Sequence, residues 1–426
     1  GSGQPLREYL LREATIEGVV DFGDLQIFEG VTTYPAILTM KRGAAPKGHE
    51  LRFWKLDAVP ESNFQAAWEA AAGPYPQASL GAGSWELENT ALRALRDKIR
   101  KGKKTLKEVY GSPLYGIKTG LNEAFVIDTP TKERLCAEDA RSMEILKPLL
   151  KGNELARWRV QSQGNWIIYI PKNRIAIDDY PAVRDWLLPF KAKLEKRATK
   201  QAWFELQQAQ EAYVPAFEAP KISYIEVCNL GPFSFEPNGF YQEATTFLIP
   251  SSDRALLALL NSRVAWFFFV GTTTVFRGGY FRMKNQFVEK VPIPEWTEDD
   301  RRKLATSAEK AQAQAETRLE IQTALTRRIP DLCPAGREAK LTAKLQEWWK
   351  LPDFAAFRAE VKKAFKADIP LAERTAWEEW IARDRAEIAR LTAEIAQCEA
   401  EIDRIVYELF ELTPDEIALL ESAIQA

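Results

Sequence analysis

Apolar residues in the last part of the chain fall on two seven-residue rows. Ile381, Ile388, Ile395, Ile402 and Leu409 make one row, and Leu391, Cys398, Ile405 and Leu412 make the other. A heptad sustained over this length predicts a long helix with a left-handed coiled-coil seam. Its partner is expected in residues 297–328. That segment opens with Thr297-Glu298-Asp299-Asp300, a side-chain cap with acids at the positive helix end, and stops before Pro330. Ala308, Ala311 and Ala315 would let the two helices approach closely. Residues 331–372 are expected to form a small helical cap at the tip, cored by Trp348, Trp349, Phe354, Phe357 and Phe365.

Upstream the period changes. Residues 108–296 alternate short apolar runs with Gly and Pro turns, the pattern of strands mixed with a few helices. Asn165-Trp166-Ile167-Ile168-Tyr169-Ile170-Pro171 reads as a strand. Residues 180–200 read as a helix with a basic end (Lys191, Lys193, Lys196, Arg197, Lys200). Residues 255–269 read as one apolar helix, its Asn261-Ser262 pair a polar contact in the core. Near the N-terminus a helix (residues 6–13) and strands at residues 18–22 and 36–40 are followed by a Gly-, Pro- and Ala-rich stretch, 43–87, which reads as a linker with short helices. Residues 92–107 read as one basic amphipathic helix: Arg93, Arg96, Lys98, Arg100, Lys101, Lys103, Lys104 and Lys107 stand against Asp97 alone. The fold class expected is α+β. The parts are residues 1–45, a linker and basic helix over 46–107, a mixed α/β region over 108–296, and an antiparallel helical hairpin over 297–426 with its cap at 331–372.

Composition narrows the function. No apolar run approaches 18 residues; the longest, residues 264–270, suits a buried element and not a bilayer span. The four cysteines (Cys136, Cys228, Cys333, Cys398) are far apart, without the pairing of a zinc site or a disulfide framework. His49 is the one histidine and lies in a polar stretch, so no histidine-based triad or metal cluster is expected. Pro352-Asp353 with Glu360-Val361-Lys362 matches the letters of a PD-ExK nuclease, in which Glu and Lys leave one face of a strand toward the metal. Here Phe354, Phe357, Val361 and Phe365 repeat at helical spacing, and residues two apart on a helix diverge by about 200°. Formal net charge is −2, but residues 373–421 hold 14 acidic and 5 basic side chains, so the rest of the chain carries about +7. A basic body with an acidic tail suits a duplex DNA partner for the body. The start, Gly1-Ser2-Gly3 without Met or signal peptide, leads us to expect a cytoplasmic protein cut from something longer.

The densest local motif is Gly116-Ile117-Lys118-Thr119-Gly120-Leu121-Asn122-Glu123-Ala124-Phe125, running into Val126-Ile127-Asp128. Glycines around a polar group followed by an apolar strand describe a tight loop at a sheet edge. Lys118, Thr119 and Asn122 would be its presented donors. With Leu146-Lys147-Pro148-Leu149-Leu150-Lys151-Gly152-Asn153-Glu154-Leu155, Ala219-Pro220-Lys221-Ile222-Ser223-Tyr224-Ile225, Leu259-Leu260-Asn261-Ser262, Phe276-Arg277-Gly278-Gly279-Tyr280-Phe281-Arg282, Val291-Pro292-Ile293-Pro294 and Glu401 to Phe410, the string resembles the TaqI-type target recognition domain of adenine-specific DNA methyltransferases and type IIG restriction–modification enzymes.

The resemblance spans roughly residues 105–415, and it implies a DNA-reading function. Residues 108–296 would be a target recognition domain, and residues 1–45 resemble the last elements of a class I methyltransferase core. No Asn-Pro-Pro-Tyr string occurs to clamp an adenine, and no Gly-rich loop follows an early strand to cradle S-adenosylmethionine; Gly81-Ala82-Gly83 reads as a turn. The chain is therefore expected to be catalytically silent and to carry no cofactor. S-adenosylmethionine, with Mg2+ if a nuclease is present, would belong to a catalytic methyltransferase region of the same parent chain. Expected base readers are Lys118, Thr119, Asn122, Arg157, Arg159, Arg277 and Arg282, with Lys151, Lys196 and Arg197 nearby. Lys101, Lys103 and Lys104 are the expected phosphate contacts. The competing reading is a structural module that docks a partner subunit through the coiled coil.

Overall fold

A computed structural model describes residues 3–23, 25–29, 35–56, 58–81, 85, 90–276 and 279–425. It is 52% helical and 17% strand. Arg277 and most of the Gly81-Ala82-Gly83 string lie outside the described residues.

The N-terminal part is one four-stranded mixed sheet. Ala14–Asp21 runs antiparallel to Ala36–Arg42 and parallel to Glu50–Lys55, which pairs antiparallel with Gly73–Pro76. The linker expected over residues 43–87 is therefore corrected: two of its segments are strands of this sheet, while Phe64–Ala71 is a short helix of the kind expected there. The sequence disguised them because they are short and punctuated by Pro and Gly. Their apolar faces are buried all the same, with Ile16, Val19, Leu51, Phe53, Tyr75 and Leu80 in one cluster. His49 is not simply solvated, since its Nε2 lies 2.7 Å from the Ile16 carbonyl.

The basic helix is shorter than expected, Thr90–Arg100, and a turn at Lys101-Gly102 ends it. Lys104–Thr105 then pairs as a strand with Pro292–Ile293, and Leu106–Tyr110 forms a short helix behind a Thr105/Glu108 capping box. Gly102, at φ +72°, allows the reversal that a non-glycine residue would resist.

The middle of the chain holds two four-stranded sheets. In one, Tyr241–Gln242, Leu146–Leu150, Asn165–Ile168 and Val126–Asp128 lie side by side; in the other, Ser234–Glu236, Lys221–Ile225, Thr246–Ile249 and Leu114–Tyr115. The expected 180–200 helix is broken into Pro181–Leu187, a 3-10 turn with Pro189, and Lys191–Leu194. The expected 255–269 helix is two helices, Arg254–Asn261 and Arg263–Thr272, bent by 59° at Ser262. Ser262 ends the first and caps the second through the Ala265 N–H (3.2 Å). The Asn261 amide bonds the Phe233 backbone from both ends, the polar core contact expected of it. No single described helix is long and apolar enough to cross a membrane. The bent pair is apolar because residues 255–260 and 264–269 are buried in the protein's own core.

Glu298–Arg328 and Arg374–Leu409 are the two long helices, antiparallel: Leu304 and Ala308 share a core with Ile402 and Ile405, and Leu325 shares one with Ile381. Thr297 and Asp300 form the expected cap. Both heptad rows are buried from Ile381 to Ile405. The near half of the hairpin belongs to the same core as the bent helix pair and the second sheet; the far half closes on the aromatic cap. Phe354–Phe365 is helical, as its spacing required, and Glu360 serves Thr342 and Lys344.

Candidate nucleic-acid interface

Gly116 and Gly120 set the geometry of the densest motif. A Cβ on Gly116 would lie 2.0 Å from the Glu243 carbonyl oxygen, so only glycine lets the two backbones touch. Gly120 turns the chain at φ +79°. The strand expected directly after it is delayed by one helical turn, Asn122–Phe125, before Val126–Asp128 begins.

From this loop the contacts run on as a continuous strip. Lys118 exchanges both backbone hydrogen bonds with Gln208 (3.0 and 2.9 Å), and Ile117 N–H donates to Gln242 (2.7 Å). The Asn122 amide donates to the Glu243 carboxylate (2.5 Å) while accepting from the Thr119 hydroxyl (2.5 Å). Glu226 N–H donates to Thr245 (3.0 Å), and the Lys151-Gly152-Asn153 turn packs on Thr245, 3.1 Å from where a Gly152 Cβ would be. Arg282 closes the strip with an ion pair to Glu226 at 3.2 Å. Lys118, Asn122, Asn153, Gln208 and Thr245 are exposed along it; Lys151 and Arg282 are half-exposed. The turn at Lys151 is held from below by buried Glu154, which accepts from the Lys151 N–H (2.6 Å), the Asn165 amide (3.1 Å) and the Gln163 N–H.

Three of the expected DNA contacts are engaged inside the chain instead. Thr119 is buried, its hydroxyl committed to Asn122. Arg197 donates to five backbone carbonyls, those of Leu194, Thr119, Glu205, Ala202 and Trp203, and so staples the 195–206 loop to the Gly-bounded loop. Burial holds its pKa below the ordinary guanidinium value. Arg157 pairs with Glu399 of the second long helix at 2.6 Å and donates to Asn261 O at 2.7 Å. Each guanidinium has filled donors, and such residues fix a fold more than they read a base. Arg159 sits half-buried on a two-stranded turn against the hairpin, and burial and Arg318 both lower its pKa. Lys196 is exposed beside Arg197.

The basic run divides the same way. Arg96 is buried, donating to the Phe267 and Phe268 carbonyls with its guanidinium 4.1 Å from the Phe267 ring centroid. Lys98 pairs with Glu416 (2.6 Å), and Arg93 bonds Ser79 and lies over Tyr75. Lys101 and Lys104 remain exposed and Lys103 half-exposed, all beyond the helix end.

Gln208, Glu243 and Thr245 join the site without having been singled out in the sequence. Gln208 and Glu243 are brought there by hydrogen bonds to Lys118 and Asn122, across about 90 and 120 residues, and no local signal marks them. Among the described residues no cluster of three or more His, Cys, Asp or Glu side chains could hold a metal ion.

Known proteins carry the same pattern. A profile of the TaqI-like C-terminal specificity domain matches residues 147–293, and one of a domain of unknown function (DUF8810) matches residues 297–406. The type II methyltransferase M.PaeR7I of Pseudomonas aeruginosa is 27% identical over 333 residues, 74% of this chain and 57% of its own length. M.XhoI of Xanthomonas vasicola, also a type II methyltransferase, is 25% identical over 317 residues, 69% of this chain and 56% of its own. The chain thus spans little more than half the length of these relatives. The type IIL restriction–modification enzyme MmeI, solved in complex with DNA, shares the fold with a TM-score of 0.52 at 12% identity, over 99% of this chain and 47% of that one. Residues 147–293 are accordingly a TaqI-like C-terminal specificity domain, in a chain whose relatives are type II methyltransferases of restriction–modification systems.

Proposed function

We propose that this chain is the DNA-reading part of a type IIG-like restriction–modification enzyme or adenine-N6 methyltransferase. The observation that carries the reading is the loop strip. Lys118, Asn122, Lys151, Asn153, Gln208 and Arg282 come from four separated segments and line one connected edge, the last four of them within the residues that match the specificity domain. Amide and guanidinium donors at a rigid edge suit base edges in the major groove. The domain would present the target adenine to a catalytic region of the same parent chain. That region would bring S-adenosylmethionine and, with a nuclease, Mg2+; S-adenosylmethionine would supply the methyl group, and the residues here hold DNA in place for it. The partner-docking alternative is less favoured, because the heptad rows are already occupied by the chain's own core.

The test is selection of preferred duplexes from a randomised library, repeated with Asn122→Ala and Arg282→Ala. A defined motif is expected for the unaltered chain, with relaxed preference at particular base pairs in each variant, worth about 1–3 kcal/mol per bidentate contact. No enrichment at all would refute the reading. A calorimetric titration with S-adenosylmethionine should show no saturable binding by this chain alone.

A further inference from the structure

Glu243 lies on a strip suited to a polyanion, yet its carboxylate meets no cation among the described residues. Two other acids there are neutralised, Glu226 by Arg282 (3.2 Å) and Glu123 by Lys193 (2.7 Å). The Glu243 carboxylate takes a single hydrogen bond, from the Asn122 amide (2.5 Å). Its backbone is held from several sides. The N–H donates to the Leu150 carbonyl (3.1 Å), and its own carbonyl accepts from the Thr246 N–H (2.9 Å) and hydroxyl (2.7 Å) and lies against Gly116. The Asn122 amide is fixed as well. Its oxygen accepts the hydroxyl of buried Thr119 (2.5 Å), whose oxygen in turn accepts the Leu121 N–H (3.2 Å). Its nitrogen therefore faces Glu243; the reverse orientation would set the amide oxygen against the carboxylate, two acceptors together.

An asparagine that reads adenine by itself accepts from the N6 amine with its oxygen and donates to N7 with its N–H. Asn122 has its oxygen committed to Thr119. One amide N–H of Asn122 and one carboxylate oxygen of Glu243 remain without partners among the described residues, side by side, with Asn122 exposed and Glu243 half-buried. Together they offer one donor and one acceptor, the complement of the adenine edge in the major groove. Guanine O6 and thymine O4 would each bring an acceptor against the carboxylate, and cytosine offers an amine with no acceptor beside it for Asn122. We propose that Asn122 and Glu243 read one adenine jointly, Asn122 donating to N7 and Glu243 accepting from the N6 amine. The inference rests on the DNA-reading function proposed above and adds Glu243 as a specificity-determining residue. An unneutralised carboxylate facing a duplex repels its phosphates whatever the sequence, so what it contributes is discrimination and not grip.

The experiment selects duplexes from a randomised library with the whole chain, unaltered and as Glu243→Gln and Asn122→Ala, and follows thermal melting to verify that each variant folds. The motif of the unaltered chain should contain an adenine at one position that both variants disturb. Glu243→Gln keeps an oxygen for the Asn122 N–H and puts an N–H where the second carboxylate oxygen was. Preference at that position should therefore move from adenine toward guanine, whose N7 and O6 both accept, by roughly 5- to 150-fold. Binding to random duplex should strengthen in the same variant, because a negative charge is lost. Asn122→Ala should relax that base pair and no other. A further arm needs no variant. With the unaltered chain, a motif duplex in which that adenine is replaced by 7-deazaadenine, which lacks the N7 acceptor, or by purine, which lacks the amine, should bind several-fold more weakly. The inference fails alone if a motif is selected but Glu243→Gln leaves every position as it was, if the two variants disturb different base pairs, if the shared position is a cytosine, or if neither analogue weakens binding. A library in which no motif is enriched overturns the functional reading and this inference with it.

Discussion

At the scale of single residues, the same side-chain type does opposite work according to its surroundings. Lys221, within one of the blocks that resemble the recognition family, is fully buried, paired with Glu236 and donating to the Phe217 (2.6 Å) and Ala219 (3.2 Å) carbonyls. Burial lowers its pKa against the opposing pull of Glu236. Lys221→Met should cost about 3–5 kcal/mol by leaving Glu236 buried and uncompensated, whereas the Lys221→Met/Glu236→Leu pair should regain most of it. Denaturant titration of the cycle checks this; equal losses in single and double variants would show that packing alone decides. Asp403 is a second case. It accepts the Arg263 backbone N–H (2.7 Å), yet burial raises its pKa from 3.8 to about 6. The folded state then holds the proton more tightly than the unfolded chain, so this group's contribution is full below about pH 4 and is lost as pH rises toward 6. Asp403→Asn should flatten that part of the stability–pH curve, measured by melting from pH 4 to 7.

At the scale of elements, the hairpin shows how far periodicity reaches. Ile395 is 6% exposed and packs with Cys398 and Ile402 in the core shared with Ala308 and Ala311. Ile395→Asp should cost several kcal/mol, since an unpaired carboxylate in that seam loses its hydration and gains no partner. An unchanged melting curve would put the row in solvent. The bent helix pair shows the opposite limit. Its sequence is apolar on every side, so spacing could not reveal the break at Ser262; a hydroxyl that can cap a new helix made the break cheap. The basic helix ended early for a similar reason, with Gly102 available for the turn and Lys104–Thr105 able to pair with Pro292–Ile293.

At the scale of the whole molecule, charge is divided by position more than by amount. Acidic side chains concentrate in the last long helix and tail, and several neutralise the body from within: Glu399 on Arg157, Glu416 on Lys98, and Asp403 with Glu421 on Arg263. Lysines without such partners among the described residues, Lys101 and Lys104 included, are the ones left to meet a polyanion. Replacing Lys101, Lys103 and Lys104 with Ala should weaken binding to all duplexes about equally and flatten the log K against log salt slope by roughly 0.9 per lost contact. An unchanged slope would return these lysines to the solvated surface.

The sequence alone determined whatever depends on near neighbours. It determined the heptad rows and their cap, the helical spacing that dismissed the nuclease lookalike, the core role of Asn261, and the resemblance to the TaqI-like specificity domain that matches residues 147–293. These follow from residues three, four or seven apart, where backbone geometry fixes who faces whom. Only the tertiary structure decided which cations are free. Arg157 and Arg197 looked like DNA contacts in the sequence, and each was claimed by carbonyls or a carboxylate from distant segments. Gln208 and Glu243 entered the strip through pairings that no local pattern encodes. The reason is physical: a buried guanidinium must satisfy its donors wherever the chain brings acceptors, and that meeting place is set by the packed fold.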